Sequence, residues 1–176
     1  MASRQEIIAT LTASGPFELV DDHSAGYPAR VYRHAPASLR EFLAATKAHG
    51  DRPFLIYEDE VLSYAEHYGR VAALAHHLQA EGVGRGDRVA VGMRNYPEWS
   101  LAFWACQAIG AIVVALNAWW TTPEFAYALE DSSPSALIVD GERLERMRPR
   151  IERFAEAAVI VVRRGEAGPG GVDLEA

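Results

Sequence analysis

The sequence predicts an α/β fold built on a doubly wound parallel sheet, and the chain from about residue 87 supplies the evidence. Short runs that are apolar throughout alternate there with stretches of helical spacing. Proline or a capping hydroxyl marks the helix starts, and Gly110 follows a helix as its stop. Strands that are apolar along their whole length indicate a parallel sheet with helices on both faces. The predicted order is β-α-β-α-β-α-β.

Each element of this order has its own sequence signal. The predicted strands are Arg88–Met93, Ala111–Leu116, Ser135–Val139 and Ala158–Val162. The predicted helices are Pro97–Ile109, a helix that opens at Thr122-Pro123-Glu124, and Glu142–Ala155. Thr122 is the expected N-cap of the middle helix, with Pro123 at its first helical position.

The chain as a whole divides into three predicted parts. They are a helical lead-in at residues 1–50, an α/β portion at residues 51–162, and a Gly/Pro-rich loop at residues 163–176. The lead-in contains a short helix at Gln5–Leu11 and a second one at Leu39–Ala48, which Ser38 caps. A polar, turn-rich loop at Asp21–Pro28 is expected between them.

The α/β portion opens with a predicted β-hairpin and a capped helix. The hairpin pairs Pro53–Tyr57 with the short strand Val61–Leu62. Ser63 and Glu66 then form the pattern of a capping box, in which each residue satisfies a free N–H at the start of a helix. Gly82 is the expected end of that helix.

Composition limits the classes of partner. The chain has 176 residues and a net charge of -7, which argues against a dedicated nucleic-acid surface. No run reaches the ~18 apolar residues of a membrane-spanning helix, and the N-terminus lacks the apolar run of a signal peptide. Cys106 is the sole cysteine and lies in an apolar run, so a buried side chain is expected. A cytoplasmic protein without a transmembrane segment is the prediction.

A search for catalytic groups in the sequence finds none. The glycine-rich run at residues 82–87 follows a helix and enters a strand, whereas a dinucleotide fingerprint follows a strand and opens a helix. The histidines show no metal-ligand spacing, and Glu58-Asp59-Glu60 fits a solvated hairpin turn. The sequence therefore predicts no catalytic residue and no metal site.

One group of loop residues is nevertheless a candidate site. Its members follow predicted strands, at the carboxyl edge where open parallel sheets bind ligands. They are Asn95, Asn117, Trp119, Trp120 and Thr121. Two interpretations remain open for this loop group, namely contact with a ligand and packing against another domain.

An ordered set of motifs carries a family resemblance. The set comprises Pro53–Asp59, Leu62–Glu66, Gly82-Val83, Gly86–Val91, Arg94–Trp99, Gly110–Val114, Leu116-Asn117, Thr122–Glu124 and Leu129–Ser132. Together these pieces resemble the N-terminal part of adenylate-forming (AMP-binding) acyl-CoA synthetases over about residues 38–162. The stretch Asn117–Thr121 is most similar to bacterial fatty-acid or related carboxylic-acid CoA ligases.

This resemblance implies a two-step reaction that uses ATP, Mg²⁺ and CoA. A carboxylic acid, with a fatty acid favoured, would form an acyl-adenylate, and CoA would then displace AMP. The family's phosphate loop ends in Pro-Lys-Gly and its catalytic lysine lies C-terminal, but the only lysine here, Lys47, matches neither. The resemblance places the loop at Asn117–Thr121 beside the route of the pantetheine arm of CoA.

The expected function is therefore that of an N-terminal ligase fragment, inactive alone and without tight binding of these cofactors. The remaining domains of the same enzyme and the acid would be its partners. The alternative is a non-catalytic binding or interaction module that keeps the ligase-like fold. The identity of the acid, the origin of the fragment, its ability to fold alone and its oligomeric state stay open.

Overall fold

The computed structural model describes residues 2–24, 26–151 and 157–163. Within them the chain forms two compact units, one up to residue 41 and one from residue 42 onward. The first unit contains α1 (Arg4–Ala13), β1 (Leu19–Asp22) and β2 (Ala29–Tyr32), and α2 (Leu39–Ala45) contains the boundary. The division at residue 50 stays a prediction, and the predicted loop after Arg163 lies outside the described residues.

The first unit contains a β-hairpin that the sequence does not predict. Strands β1 and β2 pair antiparallel, with Leu19 opposite Tyr32 and Val20 opposite Val31. The predicted loop at Asp21–Pro28 therefore begins inside a strand. These strands bury none of their residues completely, so they lack the apolar alternation by which a strand is recognised in sequence.

Within the described residues, the part of the second unit after α2 contains a hairpin, four α-helices and a four-stranded sheet. After the 3₁₀ helix Thr46–His49, its elements are β3 (Pro53–Tyr57), β4 (Glu60–Ser63), α3 (Tyr64–Ala80), β5 (Arg88–Gly92), α4 (Pro97–Ile109), β6 (Ile112–Ala115), α5 (Thr122–Ser132), β7 (Ala136–Asp140), α6 (Gly141–Ile151) and β8 (Ala158–Val162). Strands β3 and β4 pair antiparallel, as predicted. The predicted extension of α6 to Ala155 lies outside the described residues.

Strands β5 to β8 form the parallel sheet, in the order β6-β5-β7-β8. Alternate residues along the strands enter two separate apolar clusters. Ile138 of β7 packs in one cluster with α3 and α4, whereas Leu137 of the same strand packs in the other with Phe125 and Leu129 of α5. Helices thus cover both faces of the sheet, and the predicted doubly wound arrangement is confirmed.

The connections that follow the neighbouring strands β5 and β7 run in opposite directions, towards opposite edges of the sheet. The chain passes from β5 to β6 through α4 on one face, and from β7 to β8 through α6 on the other. Strands β5 and β7 are neighbours, so the loops at their carboxyl ends diverge. Such a topological switch point opens the crevice in which α/β folds bind ligands.

The helix starts follow from their capping residues. Ser63 and Glu66 form the predicted capping box, with the Ser63 N–H donating to Glu66 Oε2 at 2.8 Å and the Glu66 N–H donating to Ser63 Oγ at 3.2 Å. The cap predicted at Thr122 is wrong by one residue, because Thr121 holds that place. Glu124 lies three residues after Thr121 and accepts its N–H and its hydroxyl, each at 2.7 Å.

His67 is a buried titratable group between α3 and α4. Its side chain is 2% exposed, Nε2 lies 3.0 Å from the Ser100 hydroxyl, and its ring packs against Phe54. Burial disfavours the charged imidazolium and lowers the pKa of His67 to about 4.

We expect replacement of Leu137 by alanine to lower the free energy of unfolding by about 2–5 kcal/mol, because Leu137 is fully buried. Ile56→Ala is the matched control, since Ile56 is 72% exposed in β3, and its expected change is within about 0.5 kcal/mol. Urea denaturation monitored by circular dichroism gives both values. Equal losses for the two variants would contradict the core assignment.

His67 should make stability depend on pH. Between pH 6.5 and about 4 the imidazole of the unfolded chain takes up a proton, whereas the imidazole of the folded protein does not. The contribution of neutral, buried His67 to the free energy of unfolding is therefore fully present above pH 6.5 and is lost as the pH falls towards 4. Urea denaturation of the wild type and of His67→Gln across this range should show a smaller loss in the variant. Identical pH slopes would disprove the assignment.

Candidate functional site

The loops that follow the sheet strands enclose a pocket at the carboxyl edge. Its volume is about 350 Å³. Its lining comes from the hairpin, from the loop after β5 and from the loop after β6, and consists of Tyr57, Arg94, Asn95, Tyr96 and Trp119. Because the loop after β5 begins at the switch point, we call this cavity the switch-point pocket.

Asp140 anchors the loop that carries Arg94. Its side chain is buried at the end of β7, and Oδ2 accepts the Arg94 N–H at 3.0 Å. Oδ1 accepts the Arg143 N–H at 2.8 Å, in the first turn of α6. The carboxylate also pairs with Arg143 Nη1, at 3.0 Å from Oδ2. One buried side chain thereby fixes the loop after β5 to the start of α6.

Arg143 extends this network to the loop after β6. Its side chain is 1% exposed, and its Nε donates to the Ala118 carbonyl at 2.9 Å. Its Nη1 also pairs with Glu142 at 2.9 Å, while Nη2 is buried without a hydrogen bond to any described residue. From the next turn of α6, Arg146 Nη1 donates to the Trp120 carbonyl at 3.2 Å.

Arg94 and Trp119 form one wall of the pocket. The Arg94 guanidinium carbon lies 4.4 Å from the centre of the Trp119 ring, which is the geometry of a cation–π pair. Trp119 is 67% exposed, which is high for so large an aromatic side chain. The backbone N–H of Trp119 donates to Asn117 Oδ1 at 2.9 Å, so a local turn positions the tryptophan.

Arg163 supports the opposite wall from the end of β8. Its Nε lies 3.1 Å from both Glu98 oxygens, and its Nη2 lies 2.8 Å from Glu60. Its guanidinium carbon sits 4.9 Å from the Tyr57 ring and 5.0 Å from the Tyr96 ring. Burial alone would lower the pKa of Arg163, but the hydrogen bonds that Arg163 donates to Glu98 and Glu60 outweigh it and raise that pKa. The Arg163 guanidinium is thus ion-paired with both Glu98 and Glu60.

The structure gives the five predicted site residues different positions. Asn95 and Trp119 line the switch-point pocket. Asn117 closes the turn beneath Trp119, and Thr121 caps α5. Trp120 packs edge-on against Phe125 and lines a separate apolar groove beside α5. Contact with a ligand or with another domain stays a prediction for all five.

Three lining residues were not among the predicted ones. Arg94 and Tyr96 flank Asn95 in the sequence, so their position after a strand was a signal that could have included them. Tyr57 lies in the hairpin, and only the folding of that hairpin against α4 brings it here. Its ring meets the Tyr96 ring edge-on at 5.8 Å. Burial, followed by the nearby Glu58, raises the pKa of Tyr57.

Lys47 and Cys106, two further residues with potentially reactive side chains, lie outside the switch-point pocket. The Lys47 ammonium lies 4.6 Å from the Tyr68 ring centre, in the 3₁₀ helix. Cys106 is buried as predicted, and burial raises the pKa of its thiol to about 12. Across the described ranges no group of three or more His, Cys, Asp or Glu side chains is arranged to hold a metal ion. No helix within those ranges has the length and apolar character needed to cross a bilayer.

Comparison with known proteins identifies the class. The family described as AMP-binding enzyme matches residues 42–173, which is most of the chain. This chain belongs to that family of AMP-binding, adenylate-forming CoA ligases. The family resemblance found in the sequence is thereby confirmed.

Individual relatives agree with this family. A feruloyl-CoA synthase from Amycolatopsis sp is 45% identical over 84 residues, which are 48% of this chain and 17% of that protein. A long-chain-fatty-acid–CoA ligase from Salmonella typhimurium is 30% identical over 147 residues, which are 82% of this chain and 26% of that protein. This chain spans about a quarter or less of the length of both relatives.

Solved structures show the same fold. The crystal structure of an anthranilate CoA ligase in complex with anthranoyl-AMP superposes with a TM-score of 0.73 and 21% identity. The match covers 80% of this chain and 28% of the ligase chain. At this level of identity the likeness concerns the fold.

Replacement of Glu98 by glutamine should destabilise the protein through Arg163. Glu98 is 8% exposed, and the loss of its charge leaves a partly buried guanidinium with one carboxylate fewer. We expect a loss of about 1–3 kcal/mol in the free energy of unfolding, measured by urea denaturation. Glu60→Gln is the matched control, because the Glu60 side chain is 48% exposed and its loss should stay below about 1 kcal/mol. A larger loss for Glu60→Gln would contradict this assignment.

Proposed function

We propose that this chain is the N-terminal part of an ATP-dependent carboxylic acid:CoA ligase that acts through an acyl-adenylate. The observation that carries the proposal is the family match over residues 42–173, combined with relatives that are named as CoA ligases. The doubly wound sheet and its switch-point pocket support it, because such an edge is where α/β folds bind ligands.

For the carboxylic acid substrate, a fatty acid is the first candidate. The match to the long-chain-fatty-acid–CoA ligase extends over 82% of the chain. A 3-hydroxybenzoate–CoA ligase from Aromatoleum sp is also 31% identical over 113 residues, so an aromatic acid belongs in the test panel. As a ligase component of this kind, the protein would act in the cytoplasm.

Within this function the chain acts as a scaffold. ATP, Mg²⁺ and CoA supply the phosphoryl and thiol chemistry of such a ligase when they are bound. The sequence of this chain contains no Ser/Thr/Gly-rich loop with a following lysine, and its one lysine packs on an aromatic ring. The chain's own contribution is the edge that carries Asn95, Asn117, Trp119, Trp120 and Thr121, beside CoA or beside a neighbouring domain.

The 176-residue chain should show no ATP–pyrophosphate exchange by itself. The assay contains Mg²⁺, ATP, labelled pyrophosphate, and a panel of ferulate, 3-hydroxybenzoate and long-chain fatty acids. The Salmonella long-chain-fatty-acid–CoA ligase serves as the positive control. Exchange by the isolated chain would contradict the absence of catalytic residues.

A graft experiment distinguishes the two hypotheses, that the chain is a component of a ligase or that it is a binding module that only keeps the ligase-like fold. Residues 42–162 replace the matching segment of the Salmonella ligase, and the purified graft enters the same exchange assay. Measurable exchange would support the proposal. A graft that folds, as judged by its circular dichroism and thermal midpoint, yet shows no exchange would favour the non-catalytic module.

A further inference from the structure

Strand β6 is a terminal strand of the four-stranded sheet. Among the described residues it has β5 on one side and no strand on the other. The N–H groups of Ile112 and Leu116 donate to β5-side carbonyls at 2.7 and 2.9 Å. Because the hydrogen-bonding groups alternate in direction along a strand, the N–H and C=O groups of Val113 and Ala115 point away from β5. They form an edge to which a further strand can pair.

This edge has none of the features that keep edge strands from pairing. Strand β6 contains no charged residue and no proline, and its register with β5 is regular. Its Ile112 side chain is 51% exposed. Native proteins usually protect an edge with lysine, proline, a bulge or a covering element. An unprotected apolar edge is a surface at which another extended segment adds to the sheet.

A groove between β6 and α5 lies beside this edge. We call it the α5 groove, and its volume is about 550 Å³. It shares no lining residue with the switch-point pocket. Its apolar lining includes Val114, Pro123, Tyr127 and Ala128, with Trp120 also contributing, and Tyr127 is 71% exposed. A strand that pairs with β6 presents every second side chain to one face of the sheet, so such side chains can fill the groove.

The charged residues of the α5 groove select the charge of the added segment. Glu124 and Asp131 belong to its lining, near opposite ends of α5, and both are exposed. Neither forms an ion pair within the described ranges, and the lining residues include no Lys, Arg or His. The chain has a net charge of -7, and a second copy would bring the same two carboxylates against these. A segment with Lys or Arg is complementary instead.

We propose that β6 and the α5 groove bind an extended segment of a separate, basic polypeptide, which adds to the sheet as a further strand. The backbone of the segment pairs with Val113 and Ala115. Its alternate apolar side chains enter the α5 groove, and Lys or Arg side chains at its two ends lie near Glu124 and Asp131. Backbone pairing supplies affinity, whereas the groove and the carboxylates supply the preference for side chains. This interaction goes beyond the proposed ligase reaction and requires none of its substrates.

The test uses three designed peptides and the 176-residue chain. The first peptide is Thr-Lys-Thr-Val-Thr-Val-Thr-Lys-Thr, so that lysine and valine share one face. The second has glutamate in place of lysine, and the third keeps lysine but carries N-methyl groups that block the hydrogen bonds of one edge. Fluorescence anisotropy at low salt gives the Kd values. The first peptide should bind at least about tenfold more tightly than the other two, which lose charge complementarity or backbone pairing.

Hydrogen exchange of the ¹⁵N-labelled chain identifies the edge that is used. Saturation with the first peptide should slow the exchange of the Val113 and Ala115 N–H groups by about tenfold or more, because a paired amide exchanges only when the pairing opens. The Val114 N–H points towards β5 and is the internal reference, with little expected change.

Variants of the chain test the carboxylates and the edge separately. Asp131→Asn should weaken the Kd of the first peptide by about two- to fivefold, as expected for an exposed ion pair. Asp59→Asn is the matched control, because Asp59 is an exposed acid in the β3–β4 turn, and its Kd should not change. Ala115→Pro removes one outward N–H and should weaken the Kd by about tenfold or more, since edge strands tolerate proline where the N–H faces solvent. If this variant unfolds, the N-methylated peptide makes the same test on the unchanged chain.

Several results would overturn the inference. Equal Kd values for the three peptides would show that neither pairing nor charge is recognised. Slow exchange at Val113 and Ala115 in the concentrated chain without peptide would show that a second copy occupies the edge. Binding to the isolated chain but not to the graft of residues 42–162 would show that the remainder of a ligase covers it. None of these outcomes bears on the ligase proposal, which depends on pyrophosphate exchange by the graft.

Discussion

The buried carboxylate of Asp140 is the group on which the geometry of the candidate site depends. It ends β7 and holds the backbone of Arg94 after β5 and the start of α6 at Arg143. Arg143 continues the connection to the Ala118 carbonyl after β6. A buried ion pair adds little net stability over apolar residues of the same size, although removal of one partner costs about 3–5 kcal/mol. Its main effect here is positional, because three loops of the sheet edge share one anchor.

The sequence predicted the sheet well because burial leaves a readable pattern. The bounds predicted for α4 and β8 are those observed, and both belong to elements with continuous apolar packing. The hairpin of the first unit was not predictable in the same way, since its strands contain no fully buried residue and are held by backbone pairing. The error at Thr121 has a different origin. Two adjacent threonines satisfy the same capping rule, and the spacing to Glu124 decides between them.

The candidate site was predictable in location and only partly in membership. Position after a strand placed Asn95 and Trp119 at the carboxyl edge, and both line the pocket. The same rule could not distinguish a side chain that faces the pocket from one that closes a turn, as Asn117 does. It also could not include Tyr57 or the role of Asp140, because these depend on how the hairpin packs and on which loop N–H meets which carboxylate. Such relations are tertiary, and no local spacing encodes them.

The apolar core of the sheet is distinct from the loops at its carboxyl edge. This separation explains why a family match identifies the fold without identifying the acid substrate. Relatives named for ferulate and for long-chain fatty acids both match this chain, although these acids share little beyond the carboxylate. The protein's own apolar side chains pack on both faces of the central strands β5 and β7, so the core carries no information about a substrate. Where the loops diverge, Arg94 and Trp119 are instead exposed. Arg94 lies there over the Trp119 ring, whereas Arg143 and Arg163 pair with carboxylates.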